Sequence, residues 1–238
     1  MGIKHVVAGA TVVAGGLLLS GCDWGDMGAT TFNDSETLGQ SVSEVRFAND
    51  SGDVKITVGD HLQVRRTVGY RDTKPGKTYR VDGDALVLEE CKERDCWVDY
   101  DVTVPEGTKV SGHVDSAKVE IVGVPSANVE AESGDITVRD VDGEVNATAQ
   151  SGNVNLSGIG GAVVASAESG NVTVRLASAE NVTASTQSGN VEVTVPKGNY
   201  QVKTSIDSGD VRNDVGNSTS GPTLDLRAES GDITVRPA

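Results

Sequence analysis

Short runs in which apolar and polar residues alternate fill the second half of the chain. In the run around residue 134, Val129 and Ala131 precede the glycine, and Ile136 and Val138 follow it, each separated by a polar residue. A period of two is the geometry of a β-strand, whose side chains point to opposite faces in turn. The pattern therefore predicts pairs of short strands joined by a turn at each Ser-Gly-Asp or Ser-Gly-Asn.

The phrase ESGDITVR, at 132–139 and again at 229–236, recurs with small changes at a nearly constant spacing. Its serines are Ser116, Ser133, Ser151, Ser169, Ser188, Ser208 and Ser230, spaced by 17, 18, 18, 19, 20 and 22 residues. Such a period is typical of repeat architectures. We predict an all-β fold, a single-stranded right-handed β-solenoid of 18–22-residue coils. Each coil would stack on the next along residues 111–238.

The repeated phrase is predicted to be a structural corner. Glycine permits positive φ, and Asp or Asn favours turns. The corner residues are Ser133, Gly134, Asp135, Ser151, Gly152, Asn153, Ser169, Gly170, Asn171, Ser188, Gly189, Asn190, Ser208, Gly209, Asp210, Ser230, Gly231 and Asp232. A column of calcium sites is the alternative, because hard cations bind clustered oxygens. The uncharged corners Gln150/Asn153 and Gln187/Asn190 argue against it, so we expect no cofactor.

Residues 44–110 are predicted to form the first coils and an N-terminal β cap, continuous with the solenoid. The same phrase surrounds Ser51, and the segment at 60–110 then leaves the period while keeping strand-like runs. The sequence VDGDA at 81–85 favours a hairpin turn. Seven of the chain's eight aromatic residues lie before residue 110, which suits a cap over the end of a thin solenoid.

The N-terminus is typical of an exported lipoprotein. Lys4 precedes an apolar run that ends in Leu19-Ser20-Gly21-Cys22, and the run is too short to span a bilayer comfortably. The ending resembles the lipobox of bacterial lipoproteins, which implies a signal peptide at 1–21 and Cys22 as the acylated membrane anchor. An ordinary signal peptide with a chance cysteine is the alternative. Residues 22–43 are predicted to be a flexible tether.

Charge and cysteine content narrow the partners. The formal net charge of −15 makes binding to nucleic acid or anionic headgroups unfavourable. Cys91 and Cys96 are close in sequence, and outside the cytoplasm such a pair is usually oxidised. We predict a disulfide between them, with free thiols as the alternative. Few ligands surround the pair, so we expect no metal site there.

The segments ANDSGDVKITVG and VTVPEGTKV, with the serial SGD and SGN strands, resemble a bacterial "putative adhesin" family of β-strand repeat proteins of unknown function. The resemblance covers roughly residues 43–238. It implies a cell-surface, non-enzymatic, adhesin-like protein. It supplies no binding residues.

We therefore expect a lipid-anchored protein on the extracytoplasmic face of the cell membrane. It would be a monomer that binds an unknown envelope protein or polysaccharide, as an adhesin or scaffold. An accessory role in envelope-stress signalling and a purely structural spacer are alternatives. A polysaccharide-active enzyme is less favoured, because short coils leave little loop length for a catalytic groove. Asp140 and Asp142 could form a carboxylate pair there, but a solvated turn is the simpler interpretation.

Overall fold

The computed structural model describes residues 28–238, and within that range the regular structure is entirely β. The strands are β1 (Thr30–Leu38), β2 (Glu44–Ser51), β3 (Val54–Val58), β4 (Leu62–Tyr70), β5 (Tyr79–Asp82), β6 (Ala85–Leu88), β7 (Trp97–Val104), β8 (Lys109–Ser116), β9 (Val119–Val122), β10 (Ala127–Ser133), β11 (Ile136–Val141), β12 (Val145–Ser151), β13 (Val154–Ile159), β14 (Val163–Ser169), β15 (Val172–Leu176), β16 (Val182–Ser188), β17 (Val191–Val195), β18 (Gln201–Ser208), β19 (Val211–Asn213), β20 (Thr223–Ser230) and β21 (Ile233–Pro237).

The strands form two sheets, and each repeat contributes one strand to each sheet. The 11-stranded sheet, here sheet A, has the order β1-β4-β7-β3-β9-β11-β13-β15-β17-β21-β19. The 10-stranded sheet, here sheet B, has the order β18-β20-β16-β14-β12-β10-β8-β2-β6-β5. We call each strand pair joined at a corner a coil. The coils stack in parallel and in register, with Ala131 beside Ala149 and Ile136 beside Val154. The predicted β-solenoid is confirmed.

The register places small apolar residues in continuous columns between the two sheets. Val145, Ala147 and Ala149 of β12 are buried, and so are Val154 and Leu156 of β13. Since a slip of one residue would turn every apolar side chain outward, the alternation itself fixes the register. The columns form one uninterrupted core from the cap to the last coils. The buried tyrosines lie towards its ends, with Tyr100 in the cap and Tyr200 directly before β18.

The cap is built by residues inserted between the first coil and the second. The first coil, β2–β3, lies directly beside β8–β9, with Ser51 opposite Ser116. Of the intervening strands, β7 extends sheet A in parallel with β3, and β4 pairs antiparallel with β7. β6 extends sheet B beside β2, and β5 and β6 form an antiparallel hairpin that turns at Gly83. The predicted hairpin turn at 81–85 is therefore confirmed.

The predicted tether is wrong over residues 30–38, which form strand β1 at the edge of sheet A. β1 pairs antiparallel with β4, with Phe32 opposite Val68 and Leu38 opposite Leu62. Asp34 lies on the half-buried side of β1 and forms an ion pair with Arg66 of β4, whose side chain is 4% exposed. A carboxylate occupies a position where the period-two pattern leads one to expect an apolar residue. The sequence of β1 therefore lacks the apolar alternation that predicts a strand.

The predicted stacking of each coil on the next fails at the C-terminal end. The last coil in sequence, β20–β21, lies between β16–β17 and β18–β19. Leu226 of β20 is fully buried, whereas Thr204, at the equivalent position of β18, is exposed and Val211 of β19 is 43% exposed. The more apolar coil thus occupies the inner position. The less apolar coil ends the stack, where one side faces solvent.

Candidate functional site: the repeat corners and the two sheet faces

Each repeated phrase lies where the chain leaves sheet B and enters sheet A. The serines Ser133, Ser151, Ser169, Ser188, Ser208 and Ser230 each end a strand of sheet B, and the next strand of sheet A begins three residues later. The following glycines have φ between 135° and 153°. At Gly170 an added Cβ would lie 2.0 Å from the carbonyl oxygen of Gly152. Both the backbone angle and the contact between coils therefore require glycine.

The Asp or Asn of each phrase joins its corner to the adjacent coil. Asn153 donates its backbone N–H to Oδ1 of Asp135 at 2.8 Å, and Asn171 donates to Oδ1 of Asn153 at 3.0 Å. The series continues with Asn190 to Asn171, Asp232 to Asn190 and Asp210 to Asp232, at 2.8, 2.8 and 2.9 Å. We call this series the Asx ladder. Oδ1 exists in both Asp and Asn, so both residues can occupy it.

The Asx ladder extends into the cap with one interruption. Asp53 accepts from the backbone N–H of Lys118, and Asp99 of β7 accepts from that of Asp53. Lys118 has no side-chain oxygen to continue the series towards Asp135. Partial burial raises the pKa of Asp99, while the hydrogen bond from Asp53 acts in the opposite direction. The ladder thus supports the fold even outside the regular repeats.

Ladder geometry leaves the corners poorly suited to cations. Every ladder oxygen except that of Asp210, in the terminal coil, already accepts a backbone N–H from an adjacent coil, so binding a cation there would compete with a hydrogen bond of the fold. Within residues 28–238 we find no group of three or more His, Cys, Asp or Glu side chains that could hold a metal ion. The corner residues therefore act on the backbone of the adjacent coils.

The outer face of sheet B is rich in uncharged polar side chains over its central coils. Thr148, Ser166 and Ser185 lie in one column across β12, β14 and β16. They line a shallow groove of about 520 Å³ together with Glu168 and Arg227. The exposed Val164 lies on the same face. This face offers hydroxyl groups alongside charged side chains at the groove.

The outer face of sheet A carries arginines that share two glutamates. Arg139 forms an ion pair with Glu120, and Arg236 with Glu192. Arg175 lies 3.8 Å from Glu192, and Lys55 lies 3.7 Å from Glu120. Each of the two glutamates thus lies near two cationic side chains. This part of the outer face of sheet A therefore carries an excess of positive charge, although the whole chain is strongly acidic.

The cap contains a cluster of aromatic and charged residues around Arg66. Arg66 donates to both oxygens of Asp34, to the carbonyl of Gly76 and to Oγ1 of Thr78. Burial and the hydrogen bond to Glu36 raise the pKa of Tyr79. Burial also raises the pKa of Tyr100 to about 12. Because these groups are engaged with one another, the cluster holds β1 and the cap together.

The other predicted sites are the cysteine residues and the Asp140 and Asp142 carboxylates. A disulfide joins Cys91 and Cys96, with their Cα atoms 5.9 Å apart, as predicted. Cys22 lies outside the described residues. Asp140 and Asp142 are exposed at the end of β11 and in the turn after it, where Asp140 has φ of 56°. Over the described part of the chain, no helix is both long and apolar enough to cross a membrane.

The fold and its repeats define a class of protein, a two-sheet β-solenoid built on Ser-Gly-Asx corners. The chain belongs to the family described as Toastrack DUF4097, whose model matches residues 37–236. No curated protein matches the chain significantly.

Two crystal structures are similar at low identity. A "putative cell adhesion protein" from Clostridium sporogenes is 13% identical, with a TM-score of 0.35, over 88% of this chain and 100% of the other. A "putative adhesin" from Bacteroides fragilis is 10% identical, with a TM-score of 0.44, over 88% and 97%. At these TM-scores neither likeness says anything about function.

Proposed function

We propose that the protein is a lipid-anchored contact protein of the bacterial envelope, an adhesin or scaffold that binds a partner through its sheet faces and catalyses no reaction. The observation that carries this proposal is the Asx ladder. The most repeated polar groups of the chain are engaged with the backbone of adjacent coils. A partner can therefore contact the two long, regular sheet faces. Such faces suit binding of an extended partner better than catalysis in a single pocket.

Anchoring through Cys22 would place the cap next to the membrane. Only residues 23–29 separate Cys22 from the start of β1 at Thr30. Seven residues reach at most about 25 Å even when fully extended. The solenoid would then project outward from its N-terminal cap, with both faces accessible at the cell surface.

The anchor is tested by Cys22→Ala in the producing bacterium. We expect the altered protein to carry no acyl chains and to leave the membrane fraction. Mass spectrometry of the mature N-terminus and partition into detergent measure this. Acylated protein from the Cys22→Ala variant would contradict the lipid anchor.

The contact role is tested by affinity capture from separated cell-wall and membrane fractions, with the purified protein as bait. An adhesin or scaffold should retain a defined polysaccharide or structural envelope component. Specific retention of a membrane sensor would favour the signalling alternative. Retention that survives substitutions on both sheet faces would contradict binding through those faces.

A further inference from the structure

The charges of the repeat alternate from coil to coil. Coils that begin their phrase with Glu end it with Arg, as in ESGDITVR and ESGNVTVR, and the coils between them read QSGNVNLS and QSGNVEVT. In sheet A the order β11-β13-β15-β17-β21 places Arg139, Arg175 and Arg236 on every second strand. Ser157 and Thr194 fill the places between them. Successive arginines are therefore two strand spacings apart, about 10 Å.

The position of the last coil preserves this alternation. Had the coils stacked in sequence order, Asp214, the residue directly after β19, would lie beside Thr194, and Arg236 would lie one coil further away. Because β21 lies directly beside β17, Arg236 keeps the two-strand spacing. Alternation relieves repulsion between like charges. That relief explains the spacing of the arginines, but it does not explain why arginines occur on this face of an acidic chain.

The strand between the first two arginines carries no carboxylate. Ser157 and Asn155 are the outward residues of β13, flanked by Thr137 on β11 and Thr173 on β15. The side chains of Arg139, Arg175 and Arg236 are 45%, 51% and 46% exposed. Exposed ion pairs contribute little to stability. The arginines can therefore exchange Glu120 and Glu192 for an incoming anion with little loss.

We propose that this arginine column, Arg139, Arg175 and Arg236, binds a linear acidic polysaccharide lying along the solenoid axis, with its anionic groups on every second sugar. A pyranose ring adds to a glycan chain roughly the length that one coil adds to the stack. An acid on alternate sugars would therefore meet an arginine on alternate strands. Arginine suits the role because its guanidinium binds a carboxylate through two parallel hydrogen bonds.

The hydroxyls and amides of the face would contact the sugars between the acids. Thr137, Asn155 and Thr173 form a column beside the arginines, each one strand from the next. A second copy of this chain is the other occupant with matching charge, since Glu132, Glu168 and Glu229 have the same two-strand spacing on sheet B. The net charge of −15 opposes that association. This inference rests on the proposed contact function and names its ligand.

The test measures binding of the whole purified protein to three polymers. One alternates glucuronic acid with N-acetylglucosamine, one carries an acid on every sugar (polygalacturonate), and one is neutral (dextran). We expect the alternating polymer to bind most tightly, with affinity that falls as salt rises. No binding of the alternating polymer, or equal binding of polygalacturonate, would overturn the proposal. The contact function would still stand if envelope capture succeeded.

Three variants and a matched control assign the site. Arg139→Gln/Arg175→Gln/Arg236→Gln should weaken binding at least tenfold. The control Arg46→Gln/Lys109→Gln/Lys203→Gln removes the same formal charge from exposed positions of sheet B outside the groove and should bind normally. Ser157→Arg/Arg175→Ser keeps composition and charge but breaks the spacing, and should bind as weakly as Arg175→Ser alone.

Three results would overturn this assignment. Equal weakening in the control would mean that only net charge matters. Full binding by Ser157→Arg/Arg175→Ser would show that the two-strand spacing of the arginines does not matter for binding. Sedimentation showing that the unaltered protein self-associates through the arginine column, without binding glycan, would replace the polysaccharide with a second copy. Thermal melting of every variant checks that the fold is intact.

Discussion

At the residue scale, each corner combines a glycine fixed by backbone geometry with an Asx fixed by hydrogen bonding. Gly170 has φ of 153° and almost touches the backbone of Gly152. Asn171 next to it bonds to both neighbouring coils. The serine before the glycine ends its strand, and its carbonyl accepts an N–H from the neighbouring glycine, as Ser169 does from Gly152. Each residue of the phrase thus has a separate structural role.

The glycine requirement predicts a large loss from Gly170→Ala. The added methyl group would meet a backbone carbonyl, and alanine resists positive φ, so we expect a loss of about 3 kcal/mol or more in the free energy of unfolding. Gly39→Ala is the control, since nothing lies within 4 Å of its added Cβ. Urea titration followed by circular dichroism measures both. Equal stability of the two variants would contradict the close approach of coils at the corner.

The ladder in the cap predicts a pH-dependent gain from Asp99→Asn. Burial raises the pKa of Asp99 in the folded state, so the acid favours folding below its unfolded pKa and loses that contribution as pH rises through the folded pKa. Asparagine keeps the Oδ1 acceptor for Asp53 without the buried charge. We expect Asp99→Asn to melt at a higher temperature at pH 7, and the gain to vanish below about pH 4. A gain that does not change with pH would contradict this explanation.

The sequence predicts the corner glycines and the outward Asx positions, because local turn chemistry determines them. It does not predict the ladder itself. Asn171 and Asn190 are 19 residues apart, and Asn190 and Asp232 are 42 apart, so their contact depends on the order in which coils stack. For the same reason, the alternation of arginines becomes visible only once Arg236 is placed next to the strand of Thr194.

At the element scale, local pattern determines the strands, while competition between similar coils determines their neighbours. β18–β19 and β20–β21 both carry the Ser-Gly-Asp corner and could each continue the stack. Leu224 and Leu226 give β20 a fully buried apolar face, whereas Thr204 of β18 is exposed. The free energy of burial therefore favours β20–β21 at the inner position. β1 shows the opposite effect. Because Asp34 and Glu36 occupy its half-buried side, the sequence lacks an apolar alternation and does not predict this strand.

The coil order predicts which engineered cysteines form a disulfide. Thr183 lies opposite Asp225 on adjacent strands, so Thr183→Cys/Asp225→Cys should oxidise readily. Thr183 and Lys203 are both neighbours of Asp225, on opposite sides. They are therefore about 10 Å apart, too far for a disulfide. Peptide mapping after oxidation distinguishes the two pairs. A disulfide that forms in Thr183→Cys/Lys203→Cys but not in Thr183→Cys/Asp225→Cys would contradict this coil order and indicate that the coils stack in sequence order.

At the scale of the whole molecule, the protein is a rod in which the repeated phrase builds the fold and the outer faces of the two sheets are exposed. Eight coils follow one another from β2–β3 to β18–β19, which gives a stack about 34 Å long. One end is covered by β1, β4–β7 and the Cys91–Cys96 disulfide. The other ends in a weakly apolar coil. We infer from the Asx ladder that the corners are structural and hold no metal ion.

Thermal melting with calcium and with a chelator tests that claim most directly, on the unaltered protein and on Asp135→Asn/Asp210→Asn/Asp232→Asn. Asparagine preserves the Oδ1 acceptors of the Asx ladder, so the triple variant should remain folded. We predict that calcium and chelator give coincident curves for each protein. A stabilisation of several degrees by calcium in the unaltered protein, absent from the triple variant, would contradict the account and make the corners a column of metal sites.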